Sequence, residues 1–412
     1  MKFNTSLLHG NFSGDKITGA TNTPIYQSNA FEHQSAEELE NIFHNHAPGF
    51  AYTRINNPTV EAFERRINFL EGGIGTIACA SGMAAIANAL LNILKSGDEI
   101  VSSPSIFGGT LGLFRNFEDF GIRTRYAAET SPESFKEKIT HDTKAFFVET
   151  IGNPKLDVAN IQAIADVAHA GKIPFIVDNT VATPFLVKPI SLGADIVIHS
   201  SSKYINGSGN SISGLIVDGG TFQWEEGRYP DLAQAQKRYG KFAYLSKLRS
   251  DLFRNLGACL APMNAFLNSI GLETLGIRME RLCSNALTLA EFLDGNPKIS
   301  MVNYPGLKGS QWHELAKKQF GGYYGAILTL RVGRKENAFK IINHLRYAVN
   351  AANIGDSRTL VIHPASTIYA YASAAEKENA GVYDDLIRIS VGLEDVEDII
   401  RDFSEAIDKI QV

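Results

Sequence analysis

The stretches PFIVDNT (174–180) and ADIVIHS (194–200) are short apolar runs, rich in β-branched residues, that each end in polar side chains. Similar runs occur at TIACA (76–80), DEIVSS (98–103), KAFFVET (144–150) and SGLIVDG (213–219). Such near-continuous runs predict buried strands, and intervening helical patterns, for example NIQAIADVAHAG (160–171), predict crossover connections. We therefore expect a three-layer α/β fold with a mostly parallel sheet.

The regions on either side of these runs have different patterns. Residues 1–57 are polar with weak periodicity, which predicts an N-terminal arm. Asn57 followed by Pro58 is typical of a helix start, so we place a larger domain at 58–258. A helical stretch at roughly 262–294 then leads to two more strand patterns, GAILTLRV (325–332) and LIRISVG (386–392). These patterns predict a smaller α/β domain at 259–412.

The bulk composition narrows the classes of function. The chain has 412 residues and a net charge of −5, with no long basic run, which argues against partners such as nucleic acid and membrane lipid and favours a small-molecule substrate. No apolar run is long enough for a membrane span and the first residues lack a signal-peptide core, so we expect a soluble, cytoplasmic protein. The three cysteines are far apart, which predicts reduced core residues. His44 and His46 lack a third ligand, so we predict no metal site.

A candidate phosphate site follows the first predicted strand. ACASGMAAIANALL runs from that strand directly into an alanine-rich helix. Ser81, Gly82 and Met83 would present free backbone N–H groups and the positive end of the helix dipole to an anion. The neighbouring GGIGTIACASG lacks the GxGxxG spacing and its glycines precede the strand, which argues against a nicotinamide or flavin site.

Asp178 and Lys203 are the candidate reactive pair. Asp178 ends an apolar strand, where an unpaired carboxylate is costly and a protonated pyridine nitrogen would be a suitable partner. Lys203 follows Ser200 and Ser202, whose hydroxyls could contact a phosphate, and burial would favour its neutral, nucleophilic amine. This arrangement is the general pattern of a pyridoxal phosphate (PLP) site. The alternatives are a helix cap for Asp178 and a surface loop for Lys203.

Ser200 and Lys203 also match the S-x-x-K motif of serine acyl-transfer enzymes, which is an alternative interpretation of the same residues. Those enzymes also carry SDN and KTG elements, and neither string occurs in this sequence. The PLP interpretation is therefore preferred.

The chain resembles the PLP-dependent enzymes of cysteine and methionine metabolism over nearly its whole length. The matching stretches are AYTRINNPTVEAFE, ASGMAA, FGGT, ETIGNPKLDV, VDNT, HSSSKY, SGLIVDGG, NIGDSRTLVIHPAST and IRISVGLE. ETIGNP and NIGDSRTLVIHPAST are similar to the sulfhydrylase branch. The resemblance implies PLP-dependent transferase fold type I, of the aspartate-aminotransferase type, and a homotetramer built as a dimer of dimers.

The resemblance also implies roles for individual residues. Tyr52 and Arg54 would bind the phosphate of the neighbouring subunit's cofactor, and Gly82, Met83, Ser200 and Ser202 would complete the phosphate site. Asp178 would pair with the ring nitrogen, Asn153 would contact the ring hydroxyl, and Phe107 would stack on the ring. Arg388 would bind the substrate carboxylate, with Asn353 and Tyr52 as further substrate contacts.

Three departures from the family pattern bear on the activity. Phe107 stands where the family commonly has tyrosine, NGSGN (206–210) lacks the usual histidine, and STIYAYAS replaces a more frequent Thr-His. Expulsion of a carboxylate needs little protonation, whereas expulsion of a thiolate benefits from an acid such as that tyrosine. The sequence therefore favours γ-substitution of O-acetylhomoserine by sulfide or a thiol, with Lys203 moving the protons. Cystathionine γ-synthase and methionine γ-lyase activities, or a non-catalytic PLP-fold protein, remain as alternatives.

Overall fold

A seven-stranded sheet forms the centre of the larger half of the molecule. The computed structural model describes residues 1–11, 14–15, 17–44 and 46–410. The strands are β1 (Gly75–Cys79), β2 (Glu99–Ser102), β3 (Arg123–Tyr126), β4 (Thr143–Glu149), β5 (Phe175–Asp178), β6 (Ile196–His199) and β7 (Gly214–Asp218). Their order is β1-β7-β6-β5-β4-β2-β3, and β7 runs antiparallel to both β1 and β6 while the other pairs are parallel.

Helices cover both faces of this sheet. Successive strand residues point to opposite faces, so Ile176 and Ile198 pack on one side while Val177 and Val197 pack on the other. The helices of this half are α1 (Phe3–His9), α2 (Ala36–Phe43), α3 (Pro58–Glu71), α4 (Gly82–Leu91), α5 (Gly108–Glu118), α6 (Pro132–Glu137), α7 (Ile161–Ala170), α8 (Thr183–Leu186), α9 (Pro230–Tyr239), α10 (Ala243–Ser250) and α11 (Leu252–Leu256). The three layers match the expected α/β architecture.

A second sheet lies in the C-terminal part of the chain. Its strands are β8 (Met301–Asn303), β9 (Ile327–Arg331), β10 (Val349–Asn350), β11 (Leu360–Ile362) and β12 (Leu386–Ser390), in the order β10-β11-β12-β9-β8. The helices of this part are α12 (Pro262–Glu273), α13 (Leu275–Asp294), α14 (His313–Gln319), α15 (Lys335–His344), α16 (Ala374–Asn379) and α17 (Val396–Ile407). Because β12 is central, its Arg388 is buried.

The predicted start of α3 is confirmed, and the helical stretch predicted at roughly 262–294 is not one continuous helix. The Asn57 side chain accepts a hydrogen bond from the Thr59 N–H at 2.9 Å and Pro58 begins α3, as the capping pattern predicted. The long helical stretch instead breaks into α12 and α13 at Thr274, whose φ and ψ are −105° and 6°. Within the described residues, no helix is long and apolar enough to cross a lipid bilayer.

Candidate active site

A cleft of about 400 Å³ opens at the carboxyl edge of the seven-stranded sheet and is closed by residues from the second sheet. It lies where β4, β5 and β6 end and where α4 and α5 begin. This is the edge at which parallel α/β sheets bind ligands. Eleven of the sequence-predicted site residues line it: Ser81, Gly82, Met83, Phe107, Asn153, Asp178, Ser200, Ser202, Lys203, Asn353 and Arg388.

Tyr52 and Arg54 lie outside this cleft. The Arg54 guanidinium carbon is 5.4 Å from the centre of the Tyr52 ring, and Arg54 Nη1 donates to the carbonyl of Arg254 at 2.5 Å. Both side chains are exposed. A single chain therefore does not bring these two residues to its own cleft.

One end of the cleft suits a phosphate. Ser81 Oγ accepts from the Ala84 N–H at 3.1 Å, which leaves the N–H groups of Gly82 and Met83, the first residues of α4, at the wall of the cleft. A Cβ on Gly82 would lie 2.7 Å from Ser200 Cβ, so the close approach of these two segments requires glycine.

The two predicted serine hydroxyls differ in their contacts. Ser202 Oγ donates to the carbonyl of Ser213 at 3.0 Å and accepts from its N–H at 2.8 Å. The backbone N–H of Ser200 donates to Thr180 Oγ1 at 2.7 Å. The Ser200 hydroxyl itself has no hydrogen-bond partner among the described residues. Ser200 can therefore turn its proton toward an anion, whereas Ser202 must first release Ser213.

Asp178 is buried at the end of β5 and faces the cleft. One carboxylate oxygen accepts the Thr180 N–H at 2.9 Å, which is the cap-like contact that the sequence left open as an alternative. Burial raises the pKa of Asp178, while hydrogen bonds from Thr180 and the charge of His199 act in the opposite direction. A protonated ring nitrogen at this position would stabilise the ionised carboxylate.

Lys203 is joined to Arg388 by a chain of hydrogen bonds. Lys203 Nζ donates to Asn353 Oδ1 at 2.6 Å, and Arg388 Nη2 donates to the carbonyl of the same Asn353 at 3.0 Å. Arg388 Nη1 also donates to Asn153 Oδ1 at 3.1 Å. Arg388 Nε is buried without a hydrogen-bond partner among the described residues. A substrate carboxylate would supply the missing acceptor near this guanidinium.

The surroundings of Lys203 favour its neutral amine. Burial, and then the positive charge of Arg388, lower the pKa of Lys203 to about 8. The neutral amine is the nucleophilic form and the form that accepts protons. The surface-loop alternative for Lys203 is therefore inconsistent with its position in the cleft.

Glu149 lines the cleft and was not predicted from the sequence. Its two carboxylate oxygens accept the N–H groups of Phe107 at 2.6 Å and of Asn153 at 3.2 Å. Burial, and then the charge of Asp178, raise the pKa of Glu149 well above its ordinary value. Glu149 is the last residue of β4, just as Asp178 is the last residue of β5. The position of Glu149 at the end of a buried apolar run could therefore have identified it as a candidate site residue.

Phe107 lies on the wall of the cleft, and no tyrosine lines the cleft within the described part of the chain. The neighbouring Tyr369 is fully buried, and its hydroxyl donates to the carbonyl of Ile106 at 2.7 Å. Tyr369 therefore does not restore the hydroxyl that Phe107 lacks.

The comparisons with known proteins identify the family. A family model described as Cys/Met metabolism PLP-dependent enzyme matches residues 4–408. The chain belongs to this family. The predicted family, fold type and PLP cofactor are thereby confirmed, and the protein is a PLP-dependent enzyme. The S-x-x-K serine acyl-transfer interpretation is wrong, because the chain matches a family of PLP-dependent enzymes over residues 4–408.

Individual relatives are similar over almost the entire chain. O-acetyl-L-homoserine sulfhydrylases of Leptospira meyeri and Corynebacterium glutamicum are 40% and 42% identical, covering 98% and 97% of this chain and 96% and 95% of theirs. A Campylobacter jejuni protein assigned as an O-acetylhomoserine (thiol)-lyase, solved with a pyridoxyl-lysine monophosphate, is 35% identical with a TM-score of 0.95, covering 99% of this chain and 100% of that one.

Within the family, the cleft residues fit the cofactor. The N–H groups at the start of α4 suit its phosphate, the buried carboxylate of Asp178 suits its ring nitrogen, and Lys203 supplies an amine. PLP supplies an aldehyde for this amine and, with an amino-acid substrate, an electron sink. The roles of individual residues stay predictions.

Proposed function

We propose that this enzyme replaces the acetoxy group of O-acetyl-L-homoserine with sulfide or a thiol, giving L-homocysteine or methionine and acetate. The observation that carries the proposal is the position of Phe107, which lines the same cleft as Lys203 and brings no hydroxyl to it, while the neighbouring Tyr369 hydroxyl donates to the carbonyl of Ile106. Acetate is a weak base and leaves without strong protonation. The names of the relatives that are 40% and 42% identical over nearly the full chain support the same substrate.

Lys203 is the proposed general base and acid. Its Nζ would take a proton from the substrate Cα and return protons later in the reaction, because a group with a pKa of about 8 exchanges protons readily near neutral pH. Arg388 would hold the substrate carboxylate and fix the Cα hydrogen relative to Lys203. Asn353 accepts hydrogen bonds from both Lys203 and Arg388 and would fix the position of one side chain relative to the other.

The remaining cleft residues would bind the cofactor. Gly82, Met83 and Ser200 would hold the phosphate, Asp178 would pair with the ring nitrogen, and Phe107 would cover the ring. Ser81 would support this site through its cap on α4, Ser202 would contribute its hydroxyl, and Asn153 would contact the ring hydroxyl.

We also propose that the active assembly is a homotetramer of two dimers in the cytoplasm. Tyr52 and Arg54 would then reach the phosphate in a second subunit, which accounts for their exposed position outside their own cleft. In this proposal residues 1–57 form an arm, 58–258 the PLP-binding domain and 259–412 the C-terminal domain. The two sheets, within 75–218 and 301–390, support this division.

The test compares substrates on the purified holoenzyme. We expect homocysteine from O-acetylhomoserine and sulfide to form faster than cystathionine from the same ester and cysteine, and faster than methanethiol from methionine. Succinyl and acetyl esters are run side by side. Faster methanethiol release would refute the assignment in favour of methionine γ-lyase, and faster use of cysteine would favour cystathionine γ-synthase.

A covalent label tests the lysine. Borohydride should bleach the yellow holoenzyme and tag Lys203, as read by peptide mass spectrometry. Lys247 is a suitable control, because it is also partly buried, has a pKa lowered chiefly by burial and donates to Asn92 Oδ1 at 3.1 Å, yet lies outside the cleft. Lys247→Ala should keep the label, whereas a Lys203→Ala variant that still became labelled would contradict the role of Lys203.

A further inference from the structure

Two buried side chains, those of Glu149 and Tyr369, contact the same peptide unit directly before α5. The peptide between Ile106 and Phe107 donates its N–H to Glu149 Oε1 at 2.6 Å, and its carbonyl accepts the Tyr369 hydroxyl at 2.7 Å. Glu149 is 6% exposed and Tyr369 is 1% exposed. Both polar ends of the peptide that carries Phe107 are therefore fixed by side chains from other parts of the chain.

The same two side chains also hold the backbone of Asn153. Glu149 Oε2 accepts the Asn153 N–H at 3.2 Å, and the Tyr369 hydroxyl has the Asn153 carbonyl as a second, longer acceptor at 3.3 Å. Tyr369 is separated from Asn153 by 216 positions. The two side chains thus join two segments of the cleft wall through four backbone groups.

Phe107 and Asn153 both line the cleft, and the orientation of each depends on its backbone. The Phe107 side chain has no polar atom, so no side-chain hydrogen bond can fix its ring. The Asn153 side chain accepts a hydrogen bond from Arg388 Nη1 at 3.1 Å. Since only the side-chain torsions remain free once the backbone is held, the four backbone contacts restrict where the ring and the amide can point.

The segment that carries Tyr369 packs closely on the start of α5. A Cβ added at Gly108, the first residue of α5, would lie 2.4 Å from the carbonyl oxygen of Ile368 and 3.5 Å from Tyr369 Cε2. Tyr369 belongs to STIYAYAS (366–373), one of the three departures from the family pattern. This departure therefore supplies the hydroxyl that contacts the peptide before α5.

Stability alone is a poor explanation for a glutamate at this place. Burial and the charges of Asp178 and Asp157 raise the pKa of Glu149, and no cation is among the causes that lower it. A carboxyl group removed from water without a cation costs free energy, and an apolar side chain of similar size avoids this cost. The side chain is instead used to accept two backbone N–H groups of the cleft wall.

We propose that Glu149 and Tyr369 are positioning residues that hold the Ile106–Phe107 peptide and Asn153, and thereby keep the Phe107 ring and the Asn153 amide in place against the bound cofactor. Tyr369 acts through these segments, because it does not line the cleft itself. The inference rests on the proposed contacts of Phe107 and Asn153 with PLP.

Two measurements on the holoenzyme test this role, namely the Kd of PLP by equilibrium dialysis and the visible circular dichroism per bound cofactor. PLP is achiral, so its visible circular dichroism depends on a fixed orientation in the site and is not changed by a loss of protein stability alone. Tyr369→Phe removes only the hydroxyl. We expect it to raise the Kd about fivefold, the effect of one hydrogen bond, with a loss of dichroism per bound cofactor.

Glu149→Gln tests the other side of the same peptide. The amide keeps the shape of the side chain, but its nitrogen is a donor, so one of the two N–H groups loses its acceptor. Because both N–H groups belong to segments proposed to contact the cofactor, we expect a higher Kd and a loss of dichroism here too.

Two matched variants outside the cleft serve as controls. The fully buried Tyr304 donates its hydroxyl to the carbonyl of Gly325 at 2.9 Å, and the two carboxylate oxygens of Asp402 accept the N–H groups of Arg346 at 2.7 Å and Tyr347 at 3.0 Å. Tyr304→Phe and Asp402→Asn remove contacts of the same kinds. They should lower the melting temperature and leave both cofactor measurements unchanged.

Phe107→Leu separates the inference from the proposed function. In this background Tyr369→Phe should raise the Kd by less than about twofold, because the ring that it positions is absent. An equal effect in both backgrounds, or a wild-type Kd and dichroism in either folded single variant, would overturn the inference. If Phe107→Leu alone leaves the Kd unchanged, the proposed ring contact of Phe107 is refuted instead. Should Tyr369→Phe or Glu149→Gln fail to fold, the other variant decides.

Discussion

The reactivity of Lys203 toward PLP should follow a pKa far below that of an ordinary lysine. Burial and the charge of Arg388 lower the pKa of Lys203 from 10.5 to about 8. At pH 8 about half of the amine is neutral, against about 0.3% for an unperturbed lysine, which is a gain of roughly 160-fold in the nucleophilic form. The neutral fraction grows as pH rises through 8, so the rate of cofactor attachment should rise over the same interval.

The assay is stopped-flow absorption after mixing PLP with enzyme from which the cofactor has been removed. The second-order rate constant is measured from pH 6 to pH 10, and Nα-acetyllysine is run over the same range to correct for the titration of PLP itself. We expect a midpoint near pH 8 for the enzyme. A midpoint near that of acetyllysine would refute the argument that the cleft perturbs this amine.

Arg388→Gln tests the second cause of the shift. Removing the guanidinium charge should raise the midpoint by about one pH unit, since one like charge a few ångströms away has an effect of this order. Burial remains, so the midpoint should stay below the ordinary lysine value. A lowered midpoint would contradict the assigned repulsion between Arg388 and Lys203.

Three other variants test separate parts of the cleft. Arg388→Lys should raise the KM for the amino-acid substrate about 10-fold to 100-fold, because an ammonium cannot replace the planar fork of donors; an unchanged KM would contradict a carboxylate contact. Gly82→Ala should weaken PLP binding at least about tenfold in equilibrium dialysis, because the added Cβ would lie 2.7 Å from Ser200 Cβ. Gly227→Ala is the control and should bind PLP normally, because a Cβ added at Gly227 would have no atom within 4 Å. Phe107→Tyr should increase methanethiol release from methionine relative to homocysteine synthesis, because it restores a hydroxyl acid; an unchanged ratio would show that leaving-group protonation does not depend on this position.

Much of the fold was predictable because its signals are local. The six apolar runs predicted for the large sheet are all strands, since each is a continuous buried segment bounded by polar residues. The seventh, RTRY at Arg123–Tyr126, was missed. It is an edge strand with exposed Arg123, which forms an ion pair with Glu99 at 3.1 Å. Such a strand carries no apolar run, and its pairing depends on the neighbour β2.

The candidate site was predictable to the extent that its residues follow strands or carry a recognisable motif. Lys203 and Asp178 could be singled out from their surroundings, whereas Arg388 was identified only through the family resemblance. Glu149 shows the limit of this reasoning. Its contacts with Phe107 and Asn153 place it in the cleft, but the sequence does not state which polar group after a strand turns toward a ligand.

The sequence by itself determined the layers of the fold, and it singled out the helix start at Gly82 and the lysine at 203 that we propose for cofactor binding, because each signal depends on residues that are adjacent along the chain. Only the tertiary structure decided the environment of that lysine. Lys203 meets Asn353 across 150 positions, and Arg388 meets Asn153 across 235. Burial and the charge of Arg388, which together lower the pKa of Lys203, arise only when the second sheet closes over the edge of the first.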